Sequence, residues 1–207
     1  MALNSHFIAV VAALGILASS VGVSFAEEAG SAEDMVRSLK AKPVKRLTRG
    51  LGQPVDKDLI RSRGLVIEVA KKKVEEQTIE DRKEIAEIIE KHKLPTIDLT
   101  IYFDYNSAHI TPQSIPTLIK LGQALSNKEL KGGTFLVGGH TDARGSDHYN
   151  LTLSQRRAIS VKTFLTDNFG IDYTKLVAVG YGEEMLKDFH DPNSGENRRV
   201  QVTNLTH

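Results

Sequence analysis

The stretch that most restricts the fold begins at Ile97, where Ile97, Leu99, Ile101 and Phe103 alternate with Asp98, Thr100, Tyr102 and Asp104. A period of two puts the apolar set on one face, so a strand buried on one side is expected. Helical spacing follows, with Thr111 or Ser114 opening a helix whose Ile115, Leu118, Ile119 and Leu125 form an inward stripe. Residues 135–137 read as a second strand closing in Gly138-Gly139, residues 154–169 as a second helix, and residues 176–179 and 200–203 as the last strands. Strands separated by helices of this length need crossover connections, which pack the helices on the sheet. The pattern predicts a small α/β sandwich.

What precedes Ile97 has a different character. Residues 7–23 are apolar or small and uncharged, and they end in Ser24-Phe25-Ala26 followed by Glu27 and Glu28. Small residues at the two positions a signal peptidase reads predict export with cleavage after Ala26, and an uncleaved membrane anchor is the competing expectation. Ser31 is placed to cap a short helix over residues 32–40. From Arg37 to Lys73 the chain carries twelve basic residues against Asp56, Asp58 and Glu68, interrupted by Pro43, Gly50, Gly52, Pro54 and Gly64. That composition suits a solvated tether, or a patch attracted to anionic polymer or a membrane surface. Residues 65–70 read as a short strand. Thr78 followed by Asp81 marks a helix start, with Ile79, Ile85, Ile88 and Ile89 mainly on one face and Pro95 beyond its end.

Charge and cysteine content narrow the function. A formal net charge of +1 gives no general attraction to nucleic acid, so no nucleic-acid partner is expected. The absence of cysteine removes disulfides, thiol catalysis, thiolate metal sites and a lipidated N-terminal cysteine.

Between the second strand and the second helix lies HTDARGSDHYNLTLSQRRA, from His140 to Ala158. Ligands of sheets with parallel strands tend to sit beyond the carboxyl ends of the strands, where Asp104 and Asp142 both fall. With Ser154 as N-cap, Arg156 and Arg157 land in the first helical turn. Helical phase separates them: Arg157 shares a stripe with Val161 and Phe164 toward the core, and Arg156 shares one with Ser160, Thr163 and Asp167 toward solvent. An inward arginine there needs an anion. Either Asp142 neutralises it as an internal salt bridge, or Arg157 and the helix N-terminus hold a ligand carboxylate while Asp142 holds an ammonium group.

The run GHTDARGSDHYNLTLSQRRAISVKTFL resembles the central motif of the OmpA-like peptidoglycan-binding domain family, found in OmpA C-terminal regions, in the lipoprotein Pal and in the stator protein MotB. The likeness extends from about Ile97 to Leu205, with Tyr102-Phe103-Asp104, VAVGYGE at residues 177–183 and NRRVQV at residues 197–202 in the same order. The resemblance implies an α/β fold, a β-α-β-α-β-β two-layer sandwich with a small mixed sheet, preceded by a partly helical N-terminal region. It also implies non-covalent binding of the peptidoglycan peptide stem through meso-diaminopimelate. By motif position the family's aspartate falls on Asp142 and its arginine on Arg157, while Thr141, Asn150, Leu153, Asp104, Asn106 and Arg198 match other pocket positions. No catalytic residue, cofactor or metal is implied. The expected organisation is a signal peptide over residues 1–26, a basic linker with short helices over 27–95, and an OmpA-like domain over 96–207.

The chain departs from the family's barrel and lipoprotein members in what precedes the domain. It lacks alternating apolar strands of an outer-membrane barrel and a lipidation cysteine, and so resembles stand-alone periplasmic proteins that associate with the cell wall, peripheral to the outer membrane. A scaffold that holds an envelope protein through residues 27–95, with the wall contact secondary, is the alternative. A metal enzyme using His140, Asp142, His109 and His148, and a hydrolase with Ser154, His140 and Asp142 as a triad, are the chemical rivals. Neither an HExxH pair nor a GxSxG elbow supports them. If cleavage follows Ala26, N-terminal sequencing of protein recovered from the periplasmic fraction should begin at Glu27; an intact N-terminus partitioning with membranes would leave the anchor.

Overall fold

The computed structural model describes residues 30–40, 57–72 and 76–206. The expected signal segment and much of the basic stretch lie outside the described residues. Strand β1 (Thr96–Leu99) is followed by α4 (Ile115–Ser126), β2 (Phe135–His140), α5 (Asp147–Phe169), β3 (Leu176–Gly182) and β4 (Val200–Asn204); α1 to α3 precede them. This is the expected β-α-β-α-β-β order. The sheet is mixed, in the order β1-β4-β2-β3, with β2 and β3 parallel and β4 antiparallel to both β1 and β2.

Strands β2 and β3 are buried along their whole length. Their continuous apolar runs are what a pair covered on both faces requires. Phe135, Val137, Leu176 and Ala178 point to one side and join Leu118, Leu121 and Leu125 of α4 and Ala158, Val161 and Leu165 of α5. Leu136, Val177, Val179 and Tyr181 point to the other. Fully burying each large side chain contributes about 1.5–3 kcal/mol, so both faces need a cover. Leu118 and Leu125 are buried as expected, whereas Ile115 is half-buried and Ile119 exposed, and Leu121 completes the inward stripe of α4 in their place.

The second cover comes from the N-terminal region. Helix α1 (Ala32–Leu39) begins with the expected Ser31 cap, in a reciprocal capping box with Asp34, and adds Met35, Val36 and Leu39 to the α4–α5 side. Asn204 Nδ2 donates to the Leu39 carbonyl at 3.0 Å, satisfying one of the helix's last acceptors. Helix α3 (Ile79–Lys91) starts at a second capping box, Thr78 with Asp81, and places Ile85 and Ile88 on the opposite face of the sheet. Ile79, expected on the same face, is exposed. Residues 65–70 are not a strand: they belong to helix α2 (Lys57–Lys71), whose Val66 and Val69 pack beside Ile85 and Leu136. Tertiary burial overrides the strand preference of a β-branched run. Two polar ties hold these helices. Arg63 Nη1 donates to the Thr206 carbonyl at 2.9 Å, and buried Arg82 donates Nε and Nη2 to both carboxylate oxygens of Glu184, at 2.8 and 2.5 Å. Among the described residues, no helix is long and apolar enough to cross a membrane.

Helix α5 seats directly on the backbone of β2 and β3. A Cβ on Gly139 would stand 2.2 Å from the Ser154 carbonyl oxygen, and one on Gly180 2.5 Å from the Gln155 nitrogen. Because the obstacles are backbone atoms, Gly139→Ala or Gly180→Ala should cost at least the ~1–3 kcal/mol typical of overpacking. Gly64, exposed in α2 with nothing near its Cα, is the converse: Gly64→Ala should gain up to about 1 kcal/mol through helix propensity. Urea midpoints of the three variants check both signs.

Candidate functional site

The end of β2, the first three turns of α5, the segment after β1 and the turn before β4 enclose one groove of about 790 Å³. All eight sequence-predicted residues line it: Asp104 and Asn106 after β1, Thr141 and Asp142 after β2, Asn150, Leu153 and Arg157 on α5, and Arg198 before β4. Tyr102, Tyr105, Arg144 and Tyr149 line it too and were not singled out from the sequence.

Asp142 is nearly buried. Its Oδ2 accepts from Arg198 Nη1 at 2.7 Å, while its Oδ1 has only the long 3.3 Å contact from the Arg144 amide. The pairing with Arg157 considered from spacing does not occur. Arg157 instead donates Nε to the Ser107 carbonyl at 3.1 Å and lays its guanidinium over the Phe103 ring, 4.9 Å from the centroid. Among the described residues its guanidinium forms no ion pair. Burial lowers its pKa from the ordinary arginine value; Tyr149 and Asp142 oppose that shift, and the neighbouring charge of Arg198 adds to it. So one half-buried cation faces the groove without a carboxylate, close enough to Asp142 to feel its charge.

Arg156 is exposed and Arg157 half-buried, as the helical phase requires. The start of the helix is different from expectation. Ser146, not Ser154, is the N-cap, accepting from the Tyr149 amide, and α5 begins at Asp147. Ser154 lies inside the helix, where its Oγ accepts from the Gly182 amide at 2.8 Å and donates to the Leu151 carbonyl at 2.8 Å. Arg157 is therefore about 15 Å along the axis from the helix N-terminus and shares no anion with it. Both hydrogen bonds also tie Ser154 into the fold, away from any triad. His140 points to the opposite face of the sheet from Asp142 and stacks on Tyr181, so the two do not converge on a metal. His109 pairs with Asp104 at 2.8 Å on the exposed rim.

Two asparagines shape the loops. Asn150 Nδ2 donates to the Asp142 and Arg144 carbonyls at 3.2 and 3.1 Å and to a Glu183 carboxylate oxygen, fixing the turn that carries Asp142. Fully buried Asn197 accepts from the Lys187 and Asp188 amides and donates to the Asp188, Asp191 and Pro192 carbonyls, which sets the approach of Arg198. Two hydroxyls in the groove are left over: Thr141 Oγ1 and the Tyr149 phenol are buried and have no hydrogen-bond partner.

Residues 102–200 match the profile of the OmpA family. Over 107 residues the chain is 36% identical to the peptidoglycan-associated lipoprotein of Pseudomonas aeruginosa, covering 50% of this chain and 60% of that one. Over 88 residues it is 41% identical to outer membrane protein A of Escherichia coli O157:H7, covering 42% and 25%. The crystal structure of the peptidoglycan-associated lipoprotein from Burkholderia pseudomallei aligns at 30% identity with a TM-score of 0.43, covering 50% of this chain and 87% of that one. Residues 102–200 are thus an OmpA family domain. The chain spans 60% or less of the length of the two curated relatives named here.

The unpartnered hydroxyls contrast with Ser154. Removing a hydroxyl that bonds nothing in the free protein should cost little, so Tyr149→Phe and Thr141→Val should leave stability unchanged or raised by up to about 1 kcal/mol. Ser154→Ala strands the buried Gly182 amide and should cost about 1–3 kcal/mol. Thermal or urea unfolding of the three variants separates groove hydroxyls from structural ones.

Proposed function

We propose that the groove binds the peptide stem of peptidoglycan through meso-diaminopimelate, and that the protein is exported and held at the cell wall by this contact without altering it chemically. The observation that carries the reading is the split of charges in one groove. Asp142 keeps Oδ1 for an ammonium while Arg198 holds Oδ2, and Arg157 offers a guanidinium with no carboxylate of its own. Diaminopimelate ends in a carbon bearing both an ammonium and a carboxylate, so one ligand carbon can satisfy both side chains. The unpartnered Thr141 and Tyr149 hydroxyls supply further polar contacts to the stem. The name of the Pseudomonas aeruginosa relative, a peptidoglycan-associated lipoprotein, supports the same class of ligand. Residues 96–207 supply the groove, and helices α1 to α3 of the preceding region pack on both faces of its sheet.

Lysine-type stems offer only the ammonium. Binding one would desolvate Arg157 without a partner, and truncating one member of a buried charge pair costs about 2–5 kcal/mol. At about 1.4 kcal/mol per tenfold, that is a preference on the order of 30-fold to a few thousand-fold for diaminopimelate-type walls. Co-sedimentation with both kinds of sacculi should show it, with Asp142→Ala or Arg157→Ala erasing the difference and exposed Arg156→Ala changing binding slightly. Equal wild-type affinity for both walls would mean the groove reads glycan or bulk charge, and no sedimentation with either would end the wall-binding reading.

A further inference from the structure

On the other face of the sheet, between α3 and strands β2 to β4, lies a second cavity of about 200 Å³. Ala86 and Ile89 of α3 and Met185 form its apolar wall, and exposed Glu90 stands at its mouth. Its polar wall is Gln201 with His140, Tyr181 and Arg199, the last three with side chains at least nine-tenths buried. None of the three takes part in the groove chemistry. We propose that this cavity is a separate ligand site, which takes a small carboxylate or inorganic oxyanion.

The first argument is unmet hydrogen bonding. The Tyr181 hydroxyl and Nη1 of Arg199 are buried without a hydrogen-bond partner; the His140 ring has only a contact with the Met185 backbone, and Nε of Arg199 only the 3.4 Å contact with Asp98, both outside ordinary hydrogen-bond geometry. A buried polar group left unmade costs about 1–3 kcal/mol, more if charged, and native folds seldom gather several unpartnered or poorly partnered atoms around one cavity unless something fills it.

The second argument is the sign of what fills it. Arginine can only donate, and a tyrosine hydroxyl can donate as well as accept. Burial, with the charge of Arg199 second, holds the His140 imidazole well below its ordinary pKa, so it is neutral and presents one N–H. Burial raises the Tyr181 pKa, so its proton stays in place. Among the unpartnered atoms the donors outnumber the acceptors. Charge points the same way: the carboxylate nearest the buried Arg199 is Asp98, whose Oδ1 is 3.4 Å from Nε and also accepts from Gln201 Nε2 at 3.2 Å, while its Oδ2 lies 3.8 Å from Lys187 Nζ. Water would satisfy the hydrogen bonds but not this shared, incomplete compensation. An oxyanion satisfies both.

Size sets the class. At ~30 Å³ per water the cavity has room for about six or seven such volumes, which admits acetate or phosphate and excludes a peptide stem.

The test is an NMR titration of the His140 ring in the full-length mature protein with acetate and with inorganic phosphate, ionic strength being held by a bulky organic sulfonate too large to enter. A saturable shift with acetate or phosphate and none with the sulfonate is expected, weakened about tenfold in Tyr181→Phe and lost in Arg199→Gln. Arg157→Ala, which changes only the groove, should leave the titration as in wild type. Tyr181→Phe keeps the ring that packs against His140 and carries the test by itself should Arg199→Gln fail to fold. No saturable shift, or the same titration in wild type and Tyr181→Phe, would show a cavity holding water only and overturn the proposal, whatever sacculus binding shows.

Discussion

Helix α5 approaches the sheet more closely than any side chain beneath it would allow, and the positions of its own groove residues follow from that seat. Gly139 and Gly180 remove the Cβ atoms that would meet the backbone of Ser154 and Gln155. Into the space so closed, Ser154 and Gln155 send polar side chains that replace strand hydrogen bonds: Gln155 donates Nε2 to the Ala178 carbonyl at 3.2 Å and accepts from the Gly180 amide at 2.5 Å. The contact is polar as well as close, so it fixes the helix in rotation and along its axis. Asn150, Leu153 and Arg157, on the same rigid helix, then stand at set heights beside the end of β2.

That geometry separates charges which proximity alone would collapse. Asp142 is held by Arg198 and by the turn that Asn150 pins, and Arg157 is held by a carbonyl and an aromatic face. Had Asp142 paired with Arg157 as well as with Arg198, little of either would be left for a ligand; held by different groups, each retains part of its capacity. Two buried asparagines do much of the holding, because a side-chain amide can donate twice and accept as well, and so can satisfy several loop carbonyls and amides at once.

The sheet carries two separate polar pockets. The groove opens at the end shared with α5, and the side under α2 and α3 closes over Leu136, Val177, Val179 and Tyr181 with His140 and Arg199 among them. His140 and Asp142 are two residues apart in sequence, yet one belongs to the polar cavity under α3 and the other to the groove. Strand periodicity alone would put residues two apart on one face; β2 ends at His140, and the turn that Asn150 pins carries Asp142 to the groove side. Arg82 binding Glu184, and Glu183 accepting from Asn150, join the two sides through consecutive residues at the end of β3.

Local pattern sufficed for whatever depends on local chemistry. The period-two run after Ile97, the capping boxes at Ser31 and Thr78, the order of strands and helices, and the inward phase of Arg157 against Arg156 are all set by neighbours within a few residues, and the motif order placed eight residues that share one groove. The beginning of α5 was misread because Asp147, His148, Tyr149 and Asn150 carry no apolar stripe: that part of the helix faces the groove rather than the core, so the periodic signal starts only where the helix meets the sheet. Helix α2 was misread because Leu65, Val66, Ile67 and Val69 look like a strand until a sheet face offers a helix somewhere to bury Val66 and Val69. The partners of Asp142 and Arg157, and the cavity around His140, were beyond any spacing argument. They join residues distant in the chain, and such contacts are decided by how rigid elements pack, a property of the whole fold that no short stretch of sequence carries.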